Sequence, residues 1–585
     1  MSESYLTLAR VAFNENNFKD CLSYCLEILA NDKDSIEAWS LCAFSCEELG
    51  LRAKAISYLE HALNMLDKKD PRYLAFGISL GELYRRDLAT LKALALLNSF
   101  LPLEDANLHF NIAKCYADLQ DYELSIKHYI KVIKLNPNDV SALFNLANKQ
   151  QSIGSKEALY YYKLAYEKGH INSGINLAYM YVSLDMLEDA SKLYAELKEI
   201  AKDDFNFCFN YANFLRYTLD FEKALIWYQK AIFLNPNPIY KINLSYLLLS
   251  LNRFKEGLLL YEEREAFLST NTSLTNGNFY QKFYRHILPL ALIESSARLK
   301  DYLADKDVLL YHEQGFGDSI MFARFIESFK CKSLQLLVAS ELVSLFKNLA
   351  SVVSNAESNL KHFDVSLPLP SLAFLCVEEK SDVLKPLDAF SSKLFKTRPA
   401  GLDSKSSEAE ALKKALDSKT FKVGLNFTSN SNFEQGAQKS IYPSTLLKSL
   451  PKSEHISYFS LQYEGLEPSL ATSFNVTDLA PFIKDFSQSA YFIEKLDCIV
   501  SIDSALLHLS ASLKKPTIAL LYKRHDWRFG ALGSKKEVLA NTWYQENFYQ
   551  LTQSTLSNWD NVLSKLHSLL LELSTNHTSG KPHAT

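Results

Sequence analysis

An internal repeat with a period of roughly 34 residues over residues 1–268 constrains the fold more than any other feature. Each unit carries small and aromatic residues at the spacing of two amphipathic helices. Because neither helix can bury its apolar face alone, successive units must stack. Proline follows the second helix of two units, where it would end that helix. The repeat therefore predicts an α-solenoid. The clearest units contain Asn111, Ala113, Tyr116, Asp121, Tyr129 and Pro137, and Ala212, Phe221, Ala224, Tyr228, Ala231 and Pro236.

These units resemble tetratricopeptide (TPR) repeats, although the unit near Leu74–Leu101 fits the pattern poorly. The resemblance implies a superhelix whose concave groove binds an extended peptide or a partner helix. The aromatic and small residues of each unit are expected in the core, where they hold neighbouring helices together. The functional prediction therefore belongs to the whole array: it recruits a protein.

From Asp307 onward, short apolar runs alternate with helical segments, a pattern that predicts parallel sheets. A polar, turn-rich stretch before this point indicates a linker. We expect a first α/β lobe and a second one, both Rossmann-like. The predicted strands are Val308–Tyr311, Leu334–Val338 and Phe363–Pro370 in the first lobe, and Lys422–Phe427, Ile456–Leu461, Asp497–Ile502 and Thr517–Leu521 in the second.

The predicted domains follow from these changes of pattern. Residues 1–268 form the repeat array, and residues 269–306 form a linker and junction. Residues 307–400 form the first lobe, and residues 401–550 form the second. Residues 551–585 contain a terminal helix, Trp559–Leu573, followed by a polar tail that is expected to be disordered from Ser574.

Charge and cysteine usage narrow the classes of function. The formal net charge of −4 gives no reason to expect a nucleic acid as partner. The nine cysteines include no CxxC pair, which favours buried thiols in a reducing compartment over a metal site. The start of the chain lacks a signal-peptide pattern, and no apolar stretch is long enough for a membrane span. The sequence therefore predicts a cytoplasmic protein.

The segment His312–Ser319 joins a predicted strand to a predicted helix through two glycines, Gly315 and Gly317. Such a turn lets a ligand approach the backbone closely. Asp318 follows, at the start of the helix. It has two competing interpretations: a helix N-cap, which would lower its pKa, or a general base acting on an acceptor hydroxyl. Glu313 is a second candidate carboxylate.

Three further segments follow strands of the second lobe, and ligands in such sheets meet the carboxyl ends of strands. The loop after Asn426 ends in Lys439 and Ser440, and Lys439 is its only cation. A diphosphate needs such a cation, but a solvated surface lysine is the alternative. The second segment contains Asp503, Ser504 and His508 at a predicted helix start. These residues could bind phosphate or, in the case of His508, merely pack in the core. The third segment contains Arg528 beside Trp527, which could hold a nucleotide or lie in a solvated loop.

Together these motifs resemble bacterial TPR-linked glycosyltransferases, over nearly the whole chain and in order. The lobes are also similar to heptosyltransferases and, more distantly, to O-linked N-acetylglucosamine transferases. Flagellin-modifying enzymes share the layout. The resemblance implies the two-lobed GT-B fold, with Asp318 as the base. It implies that Lys439, Asp503, Ser504 and His508 line the donor-phosphate site. Many relatives carry arginine where Lys439 stands, so the donor stays open.

The sequence thus predicts an inverting, metal-independent glycosyltransferase. It would use a nucleotide sugar as substrate and need no cofactor. The array would bring a protein acceptor, with flagellin Ser or Thr as the candidate. Two alternatives stay open: a TPR scaffold whose lobe binds a nucleotide sugar without turnover, and a heptosyltransferase-like enzyme with a glycan or lipopolysaccharide acceptor.

Overall fold

The computed structural model describes residues 2–101, 103–264, 296–377, 390–429, 436–530, 543–544 and 547–579. Most of the predicted linker, the middle of the loop before Lys439 and the last six residues of the predicted tail lie outside them. The chain divides into two compact units, Met1–Lys202 and Asp203–Thr585.

The first unit is a series of helices that pack as consecutive pairs. Aspartate side chains begin several of them, because a carboxylate accepts a free N–H of the first turn; Asp105 and Asp139 accept from Leu108 and Ala142 at 2.8 Å. The helices are α1 (Ser2–Asn14), α2 (Phe18–Asn31), α3 (Ile36–Glu48), α4 (Arg52–Met65), α5 (Pro71–Arg86), α6 (Thr90–Asn98), α7 (Ala106–Asp118), α8 (Tyr122–Leu135), α9 (Val140–Ser152), α10 (Ala158–Glu167), α11 (Ile171–Ser183) and α12 (Leu187–Ala201).

The unit that fitted the repeat poorly is nevertheless a helix pair, α5 with α6. Gly81 allows these two helices to pack closely. A Cβ at this position would lie 2.7 Å from Cγ of Leu97, so the helices approach more closely than even alanine permits. Glycine therefore replaces the usual small residue of the repeat.

The second unit opens with two more helix pairs: α13 (Phe205–Tyr217) with α14 (Phe221–Leu234), and α15 (Pro238–Ser250) with α16 (Phe254–Tyr261). Ala212, Ala224 and Ala231 are fully buried, as the repeat predicted. Helix α14 ends at Leu234, two residues before Pro236, which lacks the N–H needed to continue it.

The first sheet has the order β3-β2-β1-β4, and every pairing in it is parallel. Its strands are β1 (Asp307–Tyr311), β2 (Ser333–Leu337), β3 (Val352–Ser354) and β4 (Val365–Pro368). The sequence did not predict β3, and a 3₁₀ segment, Leu369–Cys376, directly follows the shorter fourth strand. The associated helices are α17 (Ser296–Leu303), α18 (Phe316–Ala323) and α19 (Ser340–Phe346).

The second sheet is also parallel, with the order β10-β9-β8-β5-β6-β7. The chain direction across the sheet reverses between β5 and β8, and such a switch point is where Rossmann-like sheets bind ligands. The strands are β5 (Phe421–Asn426), β6 (Ile456–Ser460), β7 (Val476–Asp478), β8 (Cys498–Ile502), β9 (Thr517–Leu521) and β10 (Phe548–Thr552). The helices are α20 (Phe390–Lys393), α21 (Ser407–Leu416), α22 (Gly436–Lys439), α23 (Pro443–Ser449), α24 (Pro468–Phe474), α25 (Phe486–Lys495), α26 (Ala505–Ser512) and α27 (Asp560–Ser579).

The terminal helix α27 extends beyond its predicted end at Leu573. Leu573 is buried, and the Thr575 hydroxyl donates to the Leu571 carbonyl at 2.8 Å. The prediction of disorder from Ser574 is therefore wrong as far as Ser579, because packing on the second lobe supports the last turns.

One apolar core joins the last helix pair of the array to both sheets. Leu249, Phe254 and Tyr261 belong to the same buried cluster as Leu310 of the first sheet and Ile499 of the second. The two lobes and the end of the array thus fold around shared side chains. All nine cysteines lack a disulfide, and all are buried except the half-buried Cys331, as predicted. Among the described residues, no helix is both long and apolar enough to cross a bilayer.

Candidate functional site

Asp318 lies in the first turn of α18, just beyond the carboxyl end of β1. Gly315, not Asp318, occupies the N-cap position, so the interpretation of Asp318 as the N-cap residue is wrong. Asp318 instead reaches back, and its Oδ2 accepts the Gly315 N–H at 3.0 Å. One carboxylate oxygen therefore supports the glycine turn, while the other remains for a second partner.

That partner is Arg528, whose Nη2 donates to Oδ1 of Asp318. The other arm of the guanidinium, Nη1, donates to Oδ1 of Asp526 at 2.6 Å, and the group lies 4.5 Å from the ring centroid of Trp527. Burial raises the pKa of the Asp318 carboxyl, and the Arg528 charge opposes that rise. The site thus holds a carboxylate whose protonation depends on a nearby cation.

Glu313, the second candidate carboxylate, is only 3% exposed. Its Oε1 accepts from Nε of Arg264 at 2.9 Å, and Arg264 also donates to Glu262 at 2.7 Å and to the Ser371 hydroxyl at 2.8 Å. Burial raises the pKa of Glu313, and Arg264 opposes this effect. A buried, paired carboxylate of this kind is better suited to holding the turn than to moving a proton.

Gln314 connects the turn to the repeat array, and the sequence did not indicate this. Its φ of 66° is left-handed, which is costly for a residue with a side chain. Its Nε2 donates to the Tyr261 hydroxyl oxygen at 2.9 Å, and its Oε1 accepts from Nη2 of Arg528 at 3.4 Å. The turn is therefore held from α16 on one side and from Arg528 on the other.

Gly317 lets the two lobes meet. A Cβ there would lie 2.8 Å from Cδ2 of His508 and 3.4 Å from Cα of Ala505. No larger residue fits without moving α18 away from the start of α26. This contact places the Asp318 turn beside the helix start that the sequence singled out as a phosphate site.

His508 is a core residue. It is 4% exposed, its Nδ1 lies 2.7 Å from the Tyr544 hydroxyl, and its ring is nearly parallel to that of Phe529. Burial, supported by the charge of Arg528, lowers the pKa of His508 to about 3, so the ring is neutral. Its Nε2 lies 3.9 Å from Oδ1 of Asp503. The alternative of a packed core histidine is therefore the one its surroundings favour.

Lys439 ends the short helix α22 and pairs with Asp503, its Nζ lying 2.5 Å from Oδ2. The lysine side chain is 21% exposed and that of Asp503 is 10% exposed. Lys439 is thus not a solvated surface lysine. Ser440 closes the same loop, accepting the Ser429 N–H at 2.9 Å and donating to the Gly436 carbonyl at 2.7 Å.

Asn426 stands at the end of β5, at the switch point of the second sheet. Its Nδ2 donates to the Ser504 hydroxyl at 2.8 Å and to the Ser501 hydroxyl at 3.1 Å. Ser504 is the N-cap of α26 and accepts the Leu507 N–H at 3.5 Å. Asn426 therefore orients the N-terminus of α26 rather than facing solvent.

The predicted residues thus assemble in one unit at the carboxyl ends of β1, β5, β8 and β9. Asp318, Arg528, Lys439 and the N-terminus of α26 combine a candidate base with cationic and N–H groups suited to an anion. No trio of His, Cys, Asp or Glu in the described parts of the chain is placed to hold a metal ion.

Family comparisons agree with this architecture. Residues 465–559 match the model of glycosyltransferase family 9 (heptosyltransferase), and residues 106–139 match the tetratricopeptide repeat. The chain therefore has TPR repeats in its N-terminal part and a family 9 glycosyltransferase domain in its C-terminal part. It is a glycosyltransferase with a helical repeat region followed by two parallel α/β sheets of the GT-B type.

Several solved structures resemble part of the chain. A tetratricopeptide repeat protein from Parabacteroides merdae is 16% identical, with a TM-score of 0.35, over 40% of this chain and 93% of its own. The C-terminal part of a TPR protein from Cytophaga hutchinsonii is 14% identical, with a TM-score of 0.35, over 40% of this chain and 96% of its own. MamA is 19% identical, with a TM-score of 0.26, over 28% of this chain and 91% of its own. No curated protein gave a significant match.

Proposed function

We propose that the chain transfers a sugar from a nucleotide-sugar donor to a hydroxyl of a protein bound by the repeat array. The observation that carries this proposal is the contact between Asp318, which follows β1, and Arg528, which lies within the residues that match glycosyltransferase family 9. At this edge of the sheets the carboxylate can take the proton of the acceptor hydroxyl, and the cation beside it can bind the phosphates of the donor.

In this mechanism Asp318 takes the proton of the acceptor hydroxyl. The acceptor oxygen forms a bond to the anomeric carbon as the bond from that carbon to the diphosphate oxygen breaks. The electron pair leaves with the diphosphate, and the configuration inverts. Lys439, Arg528 and the N-terminus of α26 stabilise the negative charge of the leaving group.

The ion pairs of the structure suggest how the donor prepares the base. Arg528 neutralises Asp318, and Lys439 neutralises Asp503. A diphosphate competes with these carboxylates for both cations. Once Arg528 turns to the donor, its charge no longer opposes the effect of burial, and the raised pKa of Asp318 suits proton transfer near neutral pH.

The acceptor follows from the repeats, because TPR arrays bind peptides or helices in their groove. Flagellin is the first acceptor to test, through Ser or Thr hydroxyls, on the strength of the sequence resemblance. A glycan acceptor is the second candidate, because the matched family is described as heptosyltransferase.

Substitution of the two central side chains tests the mechanism. Asp318→Asn should lower transfer by about 10²–10⁴-fold while the protein remains folded, because loss of a general base costs that much. Lys439→Ala should lower transfer as well, by weakening stabilisation of the diphosphate. Asp485→Asn, another aspartate that accepts a first-turn N–H, and Lys448→Ala, an exposed lysine, serve as controls. Full activity of both Asp318→Asn and Lys439→Ala would refute the assignment.

Intact-mass measurement identifies donor and acceptor together. Flagellins and other secreted proteins from a strain lacking this gene should lose the mass of one or more sugars. A normal protein mass combined with truncated glycans would instead establish the glycan acceptor.

A further inference from the structure

Five buried tyrosines recur about 33 residues apart, one in the second helix of each of five successive pairs. None is more than 1% exposed. They hold equivalent positions in the repeat, so a structural role is expected for all of them. They are Tyr129, Tyr162, Tyr194, Tyr228 and Tyr261.

In two of these pairs the tyrosine hydroxyl is used inside its own repeat. The Tyr162 hydroxyl donates to Oδ1 of Asn148 at 2.6 Å, and the Tyr228 hydroxyl donates to Oδ1 of Asn213 at 2.6 Å. Each asparagine lies in the first helix of the same pair. The hydroxyl therefore ties the two helices of one repeat together.

The last pair breaks this pattern. Tyr246 stands in α15 where the preceding pair has Asn213, so no amide is available there for the hydroxyl of Tyr261. That hydroxyl instead meets the side chain of Gln314, at 2.9 Å from Nε2 and 3.2 Å from Oε1. A hydroxyl that bonds an asparagine of its own pair in two earlier repeats is thus directed at the turn carrying Asp318.

From Gln314 the contacts continue to the candidate base. Oε1 of Gln314 accepts from Arg528 at 3.4 Å, and Arg528 donates to Asp318. The rings of the last pair also hold the segment that bears Arg528: Tyr246 lies nearly parallel to Trp527 at 6.3 Å, and Tyr261 meets the same ring edge-on at 5.6 Å.

We propose that Tyr261 is a positioning residue of the transfer reaction, whose hydroxyl holds Gln314 so that Arg528 and Asp318 keep their working geometry. This inference rests on the proposed function of Asp318. Gln314 has a left-handed φ of 66°, a conformation that persists only when its surroundings enforce it. The Tyr261 hydroxyl is one of the groups that enforce it.

Tyr261→Phe and Tyr228→Phe provide a matched comparison. Each removes one hydroxyl from the same repeat position and leaves the ring in place. Tyr261→Phe should lower kcat by roughly tenfold or more, because a small misplacement of reacting groups is costly, and should change the KM for the donor little. Tyr228→Phe should leave kcat within about twofold of the wild-type value. It should lower Tm by about as much as Tyr261→Phe does, because each variant loses one buried hydroxyl. Equal kcat values for the two variants would overturn the proposal.

A double-mutant cycle tests the route through Gln314. If the hydroxyl acts on Gln314, Tyr261→Phe should lower kcat no further in a Gln314→Ala background. Fully additive losses would show that Tyr261 acts elsewhere and would overturn the proposal.

Hydrogen exchange separates this inference from the proposed function. Amides of residues 312–319, measured without substrate, should exchange faster in Tyr261→Phe than in Tyr228→Phe or the wild type. Equal exchange in both variants overturns the positioning role. If the wild type transfers no sugar from any donor, the proposed function fails, and faster exchange confined to Tyr261→Phe still supports control of the turn by Tyr261.

Discussion

The last two helix pairs of the array share one repeat pattern but differ in what their polar groups do. In α13–α14 the Tyr228 hydroxyl bonds Asn213, within the pair. In α15–α16 Tyr261 bonds Gln314, and the nearby Arg264 forms a buried ion pair with Glu313. The comparison teaches that a repeat residue acquires its role from the element packed next to it. At the end of the array, that element is the catalytic domain.

The largest test of this difference is truncation. A chain that begins at Asp203 should bind the nucleotide-sugar donor as the full chain does. A chain that begins at Ser269 should lose donor binding and melt roughly 10 °C lower, because it lacks core side chains whose loss costs about 2–5 kcal/mol each. Calorimetry measures both properties. Equal donor binding and equal Tm in the two truncated chains would mean that the last two helix pairs contribute nothing to the stability or the donor site of the C-terminal part.

Two arginines that flank α16 allow the comparison to be tested with single charges. Arg264→Met should lower the free energy of unfolding by about 3–5 kcal/mol, because it leaves Glu313 buried without its ion-pair partner. Arg253→Met removes the exposed pair with Glu256 and should cost less than about 1 kcal/mol. Urea denaturation of both variants measures the difference. Similar losses would show that the Arg264 network does not anchor the turn.

Two buried histidines of an upstream repeat should have the smallest effect on stability, and only at acidic pH. Nδ1 of His109 lies 3.1 Å from Nδ1 of His128, and both rings are buried. Burial, with the charge of His109, lowers the pKa of His128 to about 4 from an unfolded value near 6.5. The unfolded chain therefore binds the proton more readily. Stability is complete above about pH 6.5 and falls by at most about 3 kcal/mol toward pH 4.

Unfolding free energies of the full chain at pH 7 and pH 5 measure this slope. His128→Phe should flatten it, whereas substitution of the exposed His61 by Gln should leave it unchanged. A slope that survives in His128→Phe would assign the acid sensitivity to other groups.

The sequence predicted the order of elements well, because period and turn chemistry are local. The repeat, the two parallel sheets and the turns after β1, β5 and β8 all follow from residues close together in the chain. Strand β10 was not predicted. Strands β3 and β7 were also missed, because three residues carry no measurable alternation. Pairing with β2 and β6 makes them strands.

The candidate site was predicted as a set of residues but not as a set of contacts. Arg528 is 210 residues from Asp318, and Tyr261 is 53 residues from Gln314. No local pattern reports such distances. Tyr261 also matches the repeat, so its periodic position concealed a second role. One available signal was Tyr246, which replaces the asparagine found at Asn213 in the preceding pair.

The shared core of α15–α16 and the two sheets has a consequence for how such chains can vary in length. A repeat inserted ahead of Asp203 would leave every contact of Tyr261, Arg264 and Tyr246 unchanged. A repeat inserted after Tyr261 would separate these side chains from the turn at Gln314. Repeats can therefore be gained or lost at the beginning of the array without disturbing these contacts, whereas the position of the last pair is fixed by them.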